Sequence, residues 1–414
     1  MGEFYNINKK WSNLTLTKVF DTIIHMKYLA IAGRQPLISL AEIQAQYDRQ
    51  AKLLGKNLII FQTETSIPDI NRLGGTIKLG KLFEGDFKNL TKFLDISHPK
   101  GKITLGISDL SKHAKANFAF QKSMELKRSL GKIGRSVRVI TSKESEISSA
   151  TAHHNQLGEK PGCFEILLLD REIYLSLGTQ NITAYTERDQ ARPARDAKVG
   201  MLPPKLAQIL INLCGPLPEG ARILDPFCGT GVLLQEAAIM GYTPYGTDLN
   251  ERMIEYSKKN LVWLFNEKNR KRFKISDRLI DNKDTIIDKL TVGDAMSFQW
   301  EGQINAVAFE SYLGAPMSKP PVDIKFKSEK AHCREITIGF LKNIAPQLCP
   351  GTPIVMAVPA WLRENGKYAR MNILDEIQEM GYNFEKFQDL SQSDLLYFRE
   401  GQIVAREIIV IRKR

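Results

Sequence analysis

The sequence contains no apolar run approaching the roughly 18 residues that a membrane helix needs, so a helical membrane protein is excluded and no membrane partner is expected. Cysteine is scarce: Cys163, Cys214, Cys228, Cys333 and Cys349 are the only five among 414 residues. They are odd in number and form no C-x-x-C pair, which excludes a disulfide framework and leaves reduced thiols, as in a cytosol. Neither they nor the six histidines show metal-ligand spacing, so no metal is expected. No secretory leader is expected either, because Phe4 to Thr17 is interrupted by Asn, Lys and Ser. A cytoplasmic location follows as the expectation. Acidic residues are the scarcer charge, 46 against 58 basic ones, and the net charge of +12 favours a polyanionic partner. Hydrophobic content of 43% and charged content of 25% are ordinary for a soluble globular protein, and the length suggests two to three domains.

What is present centres on Ile223-Leu224-Asp225-Pro226-Phe227-Cys228-Gly229-Thr230-Gly231-Val232-Leu233-Leu234. An apolar strand ends at an acid, a glycine loop follows, and Val232 to Met240 reads as a helix. Glycines at 229 and 231 let the backbone turn and lie directly against a ligand, and the helix start offers free N–H groups. The loop is not a phosphate cradle. Leu234 stands where a dinucleotide fingerprint has its third glycine, and no Gly-Lys-Ser/Thr follows. Asp225 would repel phosphate and attract a cation. S-adenosylmethionine, with its ammonium and sulfonium, fits. Asp248, 23 positions further on, ends the next apolar segment, where an acid can take ribose hydroxyls. Asp294 follows Leu290-Thr291-Val292-Gly293 and can reach an adenine amino group. A single Asp is more often a cap or turn residue; three at successive strand ends after a glycine loop are not explained that way.

Along the chain, Met26 to Ala32 opens a compact unit, and residues 1–25 form an N-terminal extension. Ser39 is expected to cap a helix running through Leu40, Ile43 and Tyr47. Strands are expected at 58–62, 76–79, 102–107, 136–140, 163–170 and 172–177, with helices at 69–73, 87–94, 121–130 and 148–157. Small α+β layers result. Residues 111–160 carry ten Lys/Arg and four Asp/Glu, half the net charge in 50 residues. Arg128, Lys132, Arg135 and Arg138 are the candidate phosphate contacts there; such contacts supply affinity without sequence information. His153-His154 reads as capping and surface polarity. A linker carrying Arg192, Arg195 and Lys198, three further candidate RNA contacts, leads to a helix at 202–213. Strands then follow at 222–224, 243–247, 290–293, 304–309 and 352–358. A hairpin, 395–398 with 403–411, closes the chain. Alternation of this kind predicts an α/β fold, a seven-stranded, mostly parallel Rossmann-like sheet with one reversed strand and the ligand at the strands' carboxyl ends.

Asp-Pro-Phe-Cys-Gly-Thr-Gly resembles the cofactor motif of amino-group methyltransferases. Arg192-Pro193-Ala194-Arg195-Asp196-Ala197-Lys198-Val199-Gly200-Met201-Leu202-Pro203-Pro204-Lys205-Leu206-Ala207-Gln208 resembles the preceding segment of the THUMP-domain tRNA guanine-N2 methyltransferases, the position-10 branch. Ala32-Gly33-Arg34-Gln35-Pro36-Leu37-Ile38-Ser39-Leu40-Ala41-Glu42-Ile43 is similar to that branch's opening. The resemblance runs from about Met26 to the C-terminus. It implies a ferredoxin-like domain over 26–105, a THUMP RNA-binding domain over 106–185 and a class I methyltransferase domain over 186–414. It further implies S-adenosylmethionine held by Met201, Leu202, Asp225, Phe227, Gly229, Gly231, Asp248, Leu249, Asp294 and Ala295, with tRNA as partner and a small activator subunit as an optional one.

At the end of the fourth strand the family carries Asp/Asn-Pro-Pro-Tyr/Phe, whose polar side chain accepts from the target amine while the ring stacks on the base. This chain has Phe309-Glu310-Ser311-Tyr312-Leu313. Glu310 is the expected amine acceptor and Tyr312 the base platform. Both prolines are gone and the aromatic stands one place early. Methylation of a guanosine N2 amine in tRNA is the leading reading. DNA or another RNA as substrate, or a non-catalytic RNA-binding homologue, are the alternatives.

Overall fold

The computed structural model of the chain describes residues 26–64, 67–196 and 202–414; residues 1–25, Lys198 and Met201 lie outside the described residues. Eight strands come first: β1 (Met26–Ala32), β2 (Lys52–Leu54), β3 (Leu58–Thr63), β4 (Thr76–Leu82), β5 (Ile103–Asp109), β6 (Val137–Ile140), β7 (Cys163–Leu169) and β8 (Glu172–Thr179). They form one sheet in the order β2-β3-β1-β4-β8-β7-β5-β6. The boundary expected between 105 and 106 therefore falls inside β5, and antiparallel pairing of β4 with β8 joins the two expected units into one sheet. Lys78 secures this junction. Its fully buried Nζ lies 2.6 Å from Glu165 Oε1, which also accepts from Ser108 Oγ at 2.7 Å, tying β4, β5 and β7 together.

The helix Pro36–Gln46 starts three residues before the expected cap at Ser39. Proline is favoured in a first helical turn because its φ is preset and its missing N–H has no intrahelical partner to lose. Ser39 instead donates to Gly75 O at 2.8 Å. The inner face of this helix does not belong to the first sheet alone. Ile38 and Ala41 share a core with Leu206 and Leu210 of the helix Pro204–Leu213. Buried Glu42 accepts from Gly74 N (2.9 Å), Gly75 N (2.8 Å) and Asn212 Nδ2 (2.7 Å), so one carboxylate bridges the halves.

The second sheet comprises β9 (Arg222–Asp225), β10 (Thr243–Asp248), β11 (Thr291–Val292), β12 (Ala306–Glu310), β13 (Pro353–Leu362), β14 (Tyr368–Ala369), β15 (Tyr382–Phe384), β16 (Leu396–Tyr397) and β17 (Val404–Lys413). Seven lie side by side in the order β11-β10-β9-β12-β13-β17-β15, with β14 on β13 and β16 on β17. The expected count of seven thus becomes nine. Strand β15 was not anticipated; it takes the outer edge, and the hairpin arm β16 sits off the main order. Within that order β17 runs against its neighbours. One face of the sheet packs Ala306, Ala308, Ala357 and Ile408 beneath the helices Pro204–Leu213 and Val232–Ile239; the other packs Val307, Phe309 and Met356 beneath Asp323–Ile344.

Among the described residues no helix is long and apolar enough to cross a membrane, and no group of three His, Cys, Asp or Glu could hold a metal ion.

Candidate active site at the carboxyl ends of the second sheet

Asp225, Asp248 and Glu310 terminate β9, β10 and β12, neighbours in the parallel part of the sheet. Asp225 is buried and accepts from Phe227 N at 3.1 Å. Burial pushes its carboxyl well above the usual range, and the nearby Asp248 and Glu310 carboxylates add to the rise. Asp248 accepts from Gly229 N through Oδ2 and from Asn250 N through Oδ1, both at 2.9 Å. It anchors the glycine loop besides standing at the strand tip. Burial raises its carboxyl too, against the pull of those two N–H groups. Asp294 closes a turn, with Oδ1 accepting from Met296 N at 2.9 Å.

The loop itself needs its glycines. Gly229 and Gly231 have φ of 51° and 78°, where a side chain is strained. A Cβ on Gly231 would stand 3.1 Å from Ser257 Cα. Two residues of the following helix Glu251–Phe265 brace the loop from below. Ser257 Oγ donates to Gly229 O at 2.8 Å, and Asn260 Nδ2 donates to Thr230 O at 2.8 Å and to Ala194 O at 2.9 Å. The sequence reading passed over both; a serine and an asparagine on the inner face of an amphipathic helix were the available signal.

Around the acids the surface is apolar and open. Leu249 is 72% exposed, and Val292 and Met296 are also exposed. Ala295 is buried, its carbonyl taken by Asn343 Nδ2 at 3.0 Å. Phe227 packs on the rings of Phe309 and Phe340, at 5.3 and 5.7 Å between centroids. Leu202 is buried in the core cluster that also holds Val232, the first residue after the loop. A cavity of about 1000 Å³ lies elsewhere, in the N-terminal half, lined among others by Tyr47, Phe61 and Arg171.

Glu310 has a partner that the sequence reading missed. Arg406 Nε donates to its Oε1 at 2.7 Å, and both side chains are nearly buried. The register explains the meeting. Glu310 lies opposite Ala357, and Ala357 opposite Ile408; Arg406 is two residues along β17 and so on the same face. Ala357 between them is small enough to let the two long side chains reach across. The signal was Arg406-Glu407 inside the apolar run Ile403 to Ile411; Glu407 faces the other way and pairs with Arg370 at 2.6 Å. Tyr312 is 40% exposed, with its ring edge-on to His332 at 5.5 Å.

The basic residues divide. Arg128, Lys132, Arg138 and Arg195 are exposed. Arg135 is engaged in the protein itself, with its guanidinium on the carbonyls of His98 and Pro99 and 3.3 Å from Asp95, so it braces the turn into β5. Arg192 is 3% exposed, beneath its own helix end, and cannot meet a phosphate from that position.

A parallel sheet with a reversed strand near one edge, a glycine loop after its first strand and acids on adjoining strand tips is the class I methyltransferase-like fold. Residues 192–360 match the family model described as RMKL-like, methyltransferase domain. A tRNA (guanine(10)-N2)-dimethyltransferase of Methanothermobacter thermautotrophicus is 30% identical over 176 residues, 42% of this chain and 44% of that protein. The protein of Methanothermococcus thermolithotrophicus named Probable tRNA (guanine(10)-N2)-dimethyltransferase is 33% identical over 132 residues, 32% of this chain and 68% of that one. The chain belongs to this tRNA (guanine(10)-N2)-dimethyltransferase family. Its match spans less than half the length of the first of these relatives. Among solved structures it is similar to TrmN from Thermus thermophilus, with 14% identity, a TM-score of 0.44 and coverage of 94% of this chain and 100% of that one.

Proposed function

We propose that the chain is an S-adenosylmethionine-dependent methyltransferase acting on the exocyclic N2 amine of a guanosine in tRNA. The observation that supports this most is the convergence of Asp225, Asp248 and Glu310 around a loop held open by Gly229 and Gly231. The residues fit the cofactor. Buried Asp225, its carboxyl pushed up further by Asp248 and Glu310, has no cationic partner among the described residues, and S-adenosylmethionine would bring one; exposed Leu249, Val292 and Met296 form an apolar bed for a purine. Asp248 would take the ribose hydroxyls, Asp294 and Ala295 the adenine edge, and the loop amides the methionine end. The bound cofactor supplies a methyl group already activated by its positive charge.

The chain's own work is then orientation. Glu310 Oε2, the oxygen that Arg406 Nε leaves free, accepts a hydrogen from the target amine. This turns the nitrogen lone pair away from ring conjugation and toward the methyl carbon. Tyr312 offers its ring to the flipped base. Arg128, Lys132, Arg138 and Arg195 meet the RNA backbone. The test is methyl transfer to an unmodified tRNA transcript followed by nucleoside mass spectrometry: N2-methylated guanosine is expected, and another methylated nucleoside or none overturns the reading.

Backbone contacts of this kind carry a salt signature. Full-length protein with Arg128→Glu and Arg138→Glu is expected to bind tRNA more weakly and with a shallower salt dependence, each lost phosphate contact removing about 0.9 from the log–log slope. Filter-binding titrations across a salt series measure both. Unchanged affinity and slope would place the RNA on another surface.

A further inference from the structure

We propose that Arg406 is a positioning residue for methyl transfer, fixing the rotamer and the charge of Glu310 from the neighbouring reversed strand. The inference rests on the reading of Glu310 as amine acceptor. Three observations carry it. Arg406 Nε meets Glu310 Oε1 at 2.7 Å and leaves Oε2 unused by any protein donor among the described residues. The Arg406 guanidinium has no other hydrogen-bonding partner among the described residues and is dedicated to this carboxylate. Finally, strand register, with Ala357 as the intervening small residue, determines the approach; a flexible surface encounter would not.

The chemistry gives this pairing a purpose. A glutamate has one more rotatable bond than the family's aspartate, and the two prolines that stiffen the following turn are absent here. An acceptor on a longer arm after a looser turn needs an external brace. It also sits in an acidic neighbourhood: Asp225 from β9 faces it, with Asp248 from β10 behind, and Arg406 from β17 is its counter-ion. Burial pushes the Glu310 carboxyl up, and the Arg406 guanidinium opposes that rise. Only the ionised carboxylate offers both oxygens as acceptors and balances the positive charge growing on the amine. Removing Arg406 would therefore free the Glu310 side chain from its brace and raise the pH at which it works.

The experiment is the pH–rate profile of methyl transfer to an unmodified tRNA transcript, with full-length wild type, Arg406→Lys, Arg406→Gln and Glu310→Gln, together with calorimetric S-adenosylmethionine affinity and thermal melting. The wild-type rate is expected to fall on the acid side as Glu310 protonates. Arg406→Gln should move that limb to higher pH by about one unit or more, a roughly tenfold lower rate at pH well below the wild-type midpoint. Arg406→Lys, which keeps the charge, should restore the limb while remaining slower than wild type. Cofactor affinity should change less than twofold in all of them. Glu310→Gln should lose this limb; any limb it retains belongs to Asp225 or Asp248. If Arg406→Gln keeps the wild-type limb and rate, or if it does not fold and Arg406→Lys matches wild type in rate, the positioning role is overturned while Glu310 stands. If Glu310→Gln keeps both wild-type rate and limb, it is the assignment of Glu310 that fails.

Discussion

Replacing Glu310 by alanine is expected to lower the methyl-transfer rate on tRNA by at least about a hundredfold, the scale of roughly 2.7–4 kcal/mol that a preorganised charge-stabilising contact contributes in a dry site. Cofactor affinity should stay near the wild-type value, because Glu310 touches neither the glycine loop nor Asp248. Glutamine should fall between, since it keeps an acceptor oxygen and loses the charge. The ion pair makes glutamine the cleaner variant. Alanine leaves Arg406 buried without its carboxylate, a situation that costs about 3–5 kcal/mol of stability, so melting must be followed beside turnover. Tyr312→Ala in the same assay isolates the base platform, worth roughly 1–3 kcal/mol of stacking, and should act on tRNA capture. A Glu310→Ala enzyme that is folded and fully active would mean that the hydrogen of the target amine is accepted elsewhere.

The second large effect is expected at Asp248. Its carboxylate is already engaged by Gly229 N and Asn250 N, so its removal would take away the proposed ribose contacts and the anchor of the loop together. Charge-assisted hydrogen bonds are worth about 1.5–3 kcal/mol each. S-adenosylmethionine affinity of Asp248→Ala should therefore drop at least about tenfold, and more if the loop loosens. Asp248→Asn, which keeps an acceptor for Gly229 N, should lose less. Isothermal calorimetry on the full chain decides, and an alanine variant with wild-type affinity would remove Asp248 from the cofactor site.

The strand-loop-helix unit and the acids at its strand tips were legible in the sequence because their logic is local. A strand, an acid, two glycines and a helix lie within a dozen residues, and the next acid ends the very next strand. What needed the fold was whatever depends on distant pairing. Glu310 and Arg406 stand 96 positions apart and meet only because β12, β13 and β17 adopt one register. Arg135 and Arg192 read as RNA contacts because a cation in a basic run is usually solvated. Carbonyls of a turn 36 positions away claim the first, and a helix end covers the second. Strand β15 is three residues long and has too little pattern to announce itself. The helix start at Pro36 was misplaced because Ser39 looks like a cap, whereas its hydroxyl donates to Gly75 O and to Gln35 O behind it.

The seam between the two sheets has a consequence for how the chain can come apart. Ile38 and Ala41, from the N-terminal half, are built into the core that also holds Leu206, Leu210 and Ile223. Glu42 satisfies amides on one side and Asn212 on the other. Across the same seam, Gln44 exchanges hydrogen bonds with the backbone of Gln388 at 2.9 and 3.1 Å, and Arg49 pairs with Glu385. A cut near residue 186 would uncover apolar surface on both pieces and strand a buried carboxylate. The halves are therefore expected to melt as one cooperative unit, so that heating the full chain gives a single calorimetric transition; two separated transitions would show halves that melt independently. A mutation in the seam would lower the stability of the cofactor site and the basic surface together, though it lies in neither.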